Sequence, residues 1–160
     1  MGVGVLSSTL VVGAPLMAVA TVQPSDARTT AAAKVGNTYG GMTSQGHPVV
    51  VDLTSDRRKL VRALLAIEMP CTSGGTAFLT DEYNALRVSK KGKFGTAFGP
   101  VTVRNDDGTT TDVQGRISGK LNASRTKITG TWRLSGTDRD AAGAVIDTCD
   151  SGSVSWSAKQ

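Results

Sequence analysis

Histidine and cysteine are nearly missing from this chain: His47, Cys71 and Cys149 are all there is in 160 residues. A tetrahedral zinc centre needs four good ligands, so none can be built here without carboxylates, and no metal or cofactor is expected. Aromatic residues make up only 4%, leaving few rings for stacking nucleic-acid bases. Charged residues reach only 19%, and the 19 glycines follow no period of three. Coiled coil and collagen are thereby excluded. No Gly-x-Ser-x-Gly stretch occurs, so the nucleophile elbow of a serine hydrolase is missing.

Charge is absent from the first 25 positions; Asp26 is the first charged side chain. Residues 3–20 are mostly Val, Leu, Ala and Met, and small residues follow at Ala18-Val19-Ala20 and Ser25-Asp26-Ala27. The pattern predicts a secretory signal peptide over 1–27, although no Lys or Arg precedes the apolar run. A retained membrane anchor is the alternative, weakened by Gly13 and Pro15. Residues 28–37 lack apolar periodicity and read as a flexible leader; 38–160 reads as a single domain. In an oxidising compartment Cys71 and Cys149 are expected to form a disulfide.

What is present from Thr38 onward is alternation. Val113, Ile117 and Leu121 share one parity; Ile128, Trp132 and Leu134 share another; Val154, Trp156 and Ala158 repeat the scheme. Period two puts one face in a core and the other in water. Asn105-Asp-Asp-Gly108, Asn122-Ala-Ser-Arg125 and Lys90-Lys-Gly92 supply turns, the last linking Leu86-Arg-Val88 to Phe94. Turn signals every 8 to 12 residues or so predict an all-β fold: an antiparallel barrel or strongly twisted sandwich of about 8–10 strands. Gly115, Gly119, Gly130 and Gly136 fall on the apolar parity. They mark curvature, or clearance for large neighbours such as Trp132 and Trp156.

The stretch Asp56–Met69 fits two periods. As a strand it turns Val61, Ala63, Leu65, Ile67 and Met69 inward, and it would pair with Pro48–Leu53 as a hairpin. As a helix near 57–68 it shows a stripe of Leu60, Val61, Leu64 and Leu65, and its composition favours that form. Context favours the strand.

Candidate chemistry is sparse. A triad would need His47 with Ser44 and Asp52; a loop His before a proline is the plainer reading. Asp81-Glu82 and Asp106-Asp107 are expected in solvated turns, and Asp138–Gly143 in a polar hairpin loop that fails the calcium-loop pattern. Asn122-Ala-Ser124 matches the glycosylation pattern. The formal net charge is +5, concentrated in Arg57-Arg58-Lys59 and Lys90-Lys91-Lys93. Both clusters border turns and are expected at one end of the barrel; the plain reading is a solubilising surface, the sharper one a patch for an anionic envelope polymer or lipid headgroup. Nucleic acid is not the expected partner. Trp132 and Trp156 are candidates for the floor of a ligand pocket, and Tyr39 and Tyr83 for its rim.

Tyr39-Gly-Gly41, Thr43-Ser-Gln-Gly46, Cys71, Phe94-Gly95, Gly115 to Gly119, Gly130, Cys149, Ser151-Gly152 and Trp156 together give a chain that resembles uncharacterised secreted bacterial all-β proteins over residues 38–158. The Gly130-Thr-Trp132 meander is similar to lipocalin and avidin-like barrels. The resemblance implies location and fold, and no activity. The expected function is that of a secreted, non-enzymatic, monomeric β-domain that binds a small ligand or an anionic envelope component. A hydrolase using scattered carboxylates or His47, or a structural envelope protein, are the alternatives.

Overall fold

Among the described residues, nine antiparallel strands build one sheet that curls into a half-barrel. The computed structural model describes residues 35–160, so the expected signal peptide and most of the leader lie outside the described residues. The strands are β1 (Val35–Thr43), β2 (Pro48–Thr54), β3 (Leu60–Pro70), β4 (Thr76–Asn84), β5 (Lys93–Arg104), β6 (Thr110–Leu121), β7 (Lys127–Arg139), β8 (Val145–Asp150) and β9 (Val154–Lys159). No helix occurs among the described residues. β1 starts at Val35, so the domain takes up the last residues of the expected leader; Asn37 is already buried there.

The spatial order is β4-β3-β2-β1-β9-β7-β6-β5, with β8 on β7. This is an up-and-down ring interrupted between β4 and β5. β9 pairs with the first half of β7 (Lys127↔Lys159 to Trp132↔Val154), and β8 with the second half (Ser135↔Asp150 to Arg139↔Val145). β8 and β9 thus act as one long strand broken at Ser151–Ser153. β9 stays in the sheet and joins β1, while β8 turns toward the β3–β4 turn, where Cys149 forms a disulfide with Cys71.

Of the two readings of 57–68, the strand favoured by context holds and the short helix is excluded. Leu60–Pro70 is a strand paired on both sides, by β2 and β4. Tertiary pairing overrides the helix-favouring composition, because a helix would leave β4 without a ladder partner and one edge of β2 unpaired. A register shift at Asp52/Leu53 sets Leu53 opposite Leu60. Leu60 is therefore fully buried, while Val61, expected inward, is only half-buried. Leu86–Val88 is not a strand either. It makes one antiparallel bridge at the start of β3, Lys59↔Arg87, with Leu60 N–H donating to Leu86 O (2.8 Å) and Val88 N–H to Arg58 O (2.8 Å). The Lys90-Lys-Gly92 turn therefore feeds the far edge of the sheet instead of closing a hairpin.

The inward parities form one core around Tyr39, Val51, Leu53, Leu60, Leu65, Ile67, Ile117, Ile128 and Trp132. Three of the four inward glycines are clearance positions: Gly130 clears Trp156 as expected, Gly115 and Gly119 clear phenylalanines instead, and Gly136 meets only Thr111 at an ordinary 3.6 Å. A Cβ on Gly119 would stand 2.7 Å from Phe94 Cε2, one on Gly115 2.6 Å from Phe98 Cε1, and one on Gly130 2.5 Å from Trp156 Cε2. Phenylalanines from the adjacent strand β5 lie over two of the three.

Candidate functional site

Seven of the connecting turns are closed in the same way, by an N–H donating to the carbonyl three residues earlier: Gly46 to Thr43, Arg57 to Thr54, Gly74 to Cys71, Gly92 to Ser89, Gly108 to Asn105, Arg125 to Asn122 and Gly143 to Asp140. The donor residue is left-handed each time. Glycine takes that conformation without cost; a residue with a Cβ does not. Arg57 (φ 56°) and Arg125 (φ 57°) therefore carry strain where every other such turn has glycine. Ala85 (φ 60°), in the β4–β5 connection, is the third strained residue.

Antiparallel alternation puts these three on one end of the barrel, with the β2–β3, β4–β5 and β6–β7 connections and the end of β9. A plug knits this end together. Tyr39, fully buried, donates its hydroxyl proton to Arg125 O (2.7 Å) and accepts from Arg57 Nε (3.1 Å). Arg57 also reaches Gln160 Oε1 (3.1 Å), and Gln160 N–H reaches Thr126 O (3.1 Å). Turns from opposite walls thus form one surface. Lys59 is bridged to Arg87, and Leu121 N–H donates to Gly92 O.

The two predicted basic clusters, Arg57-Arg58-Lys59 and Lys90-Lys91-Lys93, therefore meet at this end. Four further cations that the sequence reading had not singled out join them there: Lys120, Arg125, Lys127 and Lys159. Asp56 is the acid in these turns, held below the usual carboxylate range by the Thr54 hydroxyl (2.6 Å) and the Arg58 N–H (3.0 Å). Every ion pair among the described residues lies outside them: His47–Glu68, Arg62–Asp52, Arg133–Asp150 and Arg139–Asp112. Of the predicted cations Arg57 is the exception in role, since its guanidinium is spent on Tyr39 and Gln160.

At the opposite end most acids are satisfied locally. Asp107 caps Thr109, Asp140 caps Ala142 and Ala144, and Asp138 accepts from Thr111. Asp147 accepts from both Ser73 and Thr72 hydroxyls (2.7 Å each), which holds its carboxyl at about 2. Cys71, Asp147 and Cys149 bring possible ligand atoms within 4.8 Å of one another. Because the two sulfurs are bonded to each other, neither can serve as a thiolate ligand.

The other candidates are placed elsewhere. Trp132 and Trp156 are 1% and 3% exposed and belong to the core. Tyr39 and Tyr83 are likewise buried and line no rim. Asp52 is committed to Thr38 and Arg62, and His47 Nε2 lies 3.1 Å from Glu68 Oε1, so no triad assembles. Asp81-Glu82 lies within β4, not in a turn. Asp81 faces inward, and burial raises its carboxyl above the usual range.

Two shallow grooves mark the outer face of β5–β7. One, about 440 Å³, is bordered by Lys93, Ser118, Lys120, Thr129 and Thr131. The other, about 360 Å³, is bordered by Ala97, Gln114, Arg116, Arg133 and Ser135. No protein-family model, curated protein or solved structure matches the chain.

Proposed function

We propose that this is a secreted, non-enzymatic β-domain that binds an anionic polymer of the cell envelope through the basic end of its half-barrel. One observation carries the reading: cations from several connections converge on one surface without an ion pair, while most acids of the other end, Asp107, Asp138, Asp140 and Asp147, are spent on local hydrogen bonds. Surface charges arranged in this way raise the local concentration of a polyanion and speed its capture. The disulfide fits an oxidising compartment.

Retention on immobilised polygalacturonate at low and high salt tests the reading. The wild-type domain is retained at low salt and released as salt screens the contact, and Lys90→Glu/Lys91→Glu reduces retention. Failure of the wild type to bind, or equal binding by the variant, overturns it. Preferential retention on anionic lipid vesicles would overturn it in favour of a headgroup.

A further inference from the structure

Like charges directly opposite one another on neighbouring strands destabilise a sheet. Between its named strands, among the described residues, this sheet contains three such cationic pairs, Lys93↔Lys120 between β5 and β6, Arg116↔Arg133 between β6 and β7, and Lys127↔Lys159 between β7 and β9, and the isolated Lys59↔Arg87 bridge adds a fourth. Asp150 answers the arginine pair through Arg133. Neither lysine pair has an acidic partner among the described residues.

Both lysine pairs lie at the base of the β6–β7 hairpin. Lys120 and Lys127 flank its turn, and Arg125 occupies the turn's strained left-handed position. Arg125 is exposed, and no hydrogen bond or ion pair holds its side chain among the described residues. Glycine at that position would relieve the strain, so fold stability alone does not account for arginine. Local rules broken without a gain in stability are expected where a surface serves a ligand.

The 440 Å³ groove begins at Lys93 and Lys120. Beside them Ser118 and Thr131 share a hydroxyl–hydroxyl hydrogen bond of 2.9 Å, and Thr129, opposite Lys120, is exposed two residues nearer the turn. Cations at one side and hydroxyls along the other suit an anionic unit that itself carries hydroxyls.

We propose that this groove is a subsite for a negatively charged sugar unit. Lys93 and Lys120 take its anionic group, Ser118, Thr129 and Thr131 take its ring hydroxyls, and Arg125 takes the next charge along the polymer. The proposal rests on the polyanion reading above and assigns it a place and a ligand chemistry. Arg57 is a positioning residue: it holds the Tyr39 hydroxyl, which in turn holds the Arg125 carbonyl.

Calorimetric titration with tetragalacturonate, maltotetraose and inorganic polyphosphate tests it. The wild type binds tetragalacturonate and not the neutral sugar. Lys93→Gln/Lys120→Gln weakens binding by about tenfold or more, as expected for the loss of charge-assisted contacts. Thr131→Val weakens tetragalacturonate binding and leaves polyphosphate binding unchanged. Arg125→Gly raises the melting temperature and weakens binding, a combination that a purely structural arginine would not give. Arg104→Gln, at the opposite end, changes nothing.

If the wild type binds but Lys93→Gln/Lys120→Gln and Arg125→Gly bind equally well, the subsite is overturned and the basic-end reading stands. Equal loss of both ligands on Thr131→Val overturns the sugar assignment. If the wild type binds neither anion, the polyanion reading itself fails.

Discussion

The Trp132 indole N–H donates to the Tyr83 hydroxyl at 2.9 Å, with the two rings at 89°, across the barrel from β7 to β4. Tyr83 also lies 6.2 Å, centroid to centroid, from Phe98 on β5. β4 and β5 are not hydrogen-bonded to each other. Side chains, not a backbone ladder, span this seam. Tyr83→Phe is expected to leave the Trp132 N–H unpaired and to cost about 1–3 kcal/mol. Denaturant unfolding measures the loss. The double variant Tyr83→Phe/Trp132→Phe should fall well short of the sum of the two single losses.

Asp81 sits two residues before Tyr83 on the same face of β4, and its carboxyl is raised above 3.8, chiefly by burial. A raised acid favours the folded state in its protonated form. Its contribution is full below pH 3.8 and is lost as pH rises through the folded value. Asp81→Asn should therefore match the wild type in acid and become the more stable of the two toward neutral pH. Melting temperatures across that range check the sign; a difference that shrinks toward neutrality would count against it.

Asp147 behaves in the opposite sense. Its carboxyl, held at about 2 by the Ser73 and Thr72 hydroxyls, contributes stability above pH 3.8 that fades as pH falls toward 2. Asp147→Asn should lower the melting temperature at neutral pH and have no effect at the acid limit.

The same Thr72–Ser73 turn follows Cys71. The disulfide closes a separation of 78 residues, which corresponds to about 4 kcal/mol in the chain-entropy model. Cys71→Ser/Cys149→Ser is expected to unfold at a correspondingly lower denaturant concentration, and reductant should shift the wild type alone.

Gly119→Ala would drive a methyl group into the Phe94 ring, and Gly130→Ala into Trp156 and the backbone carbonyl of Ser118. Overpacking of this kind costs about 1–3 kcal/mol. Phe94→Leu should restore part of the loss in Gly119→Ala and nothing in Gly130→Ala, because a carbonyl on the adjacent strand cannot be trimmed. Equal rescue of both would refute this account of the glycines.

Much of this architecture was legible in the chain. Ile117, Leu121, Ile128, Trp132, Leu134, Val154, Trp156 and Ala158 are all buried, as their alternation requires. The turns at Asn105–Gly108 and Asn122–Arg125 were visible in their composition. Asp81-Glu82 misled because two adjacent acids look like a turn, and nothing local shows that β3 pairs with the strand bearing them. Leu86–Val88 misled only in extent: its backbone pairs with Arg58–Leu60 through a single bridge, too short to make a strand of its own. The basic end was half visible: two clusters stood out as runs, whereas Lys120, Arg125, Lys127 and Lys159 are separated in sequence and meet only through pairing.

The division follows from what a strand encodes. A period of two determines which side chains share a face, so the amino-acid sequence by itself settled an all-β fold and most of its inward residues, and it paired the two cysteines that the folded chain joins. It did not say which residue stands opposite which. Register is set jointly by both partners and by the turns between them, and only in the folded sheet do Lys93 and Lys120, or Lys127 and Lys159, become neighbours. The two tryptophans were consigned to the core for the same reason: room for Trp156 depends on Gly130 lying across from it, a relationship that exists only once β7 and β9 are paired.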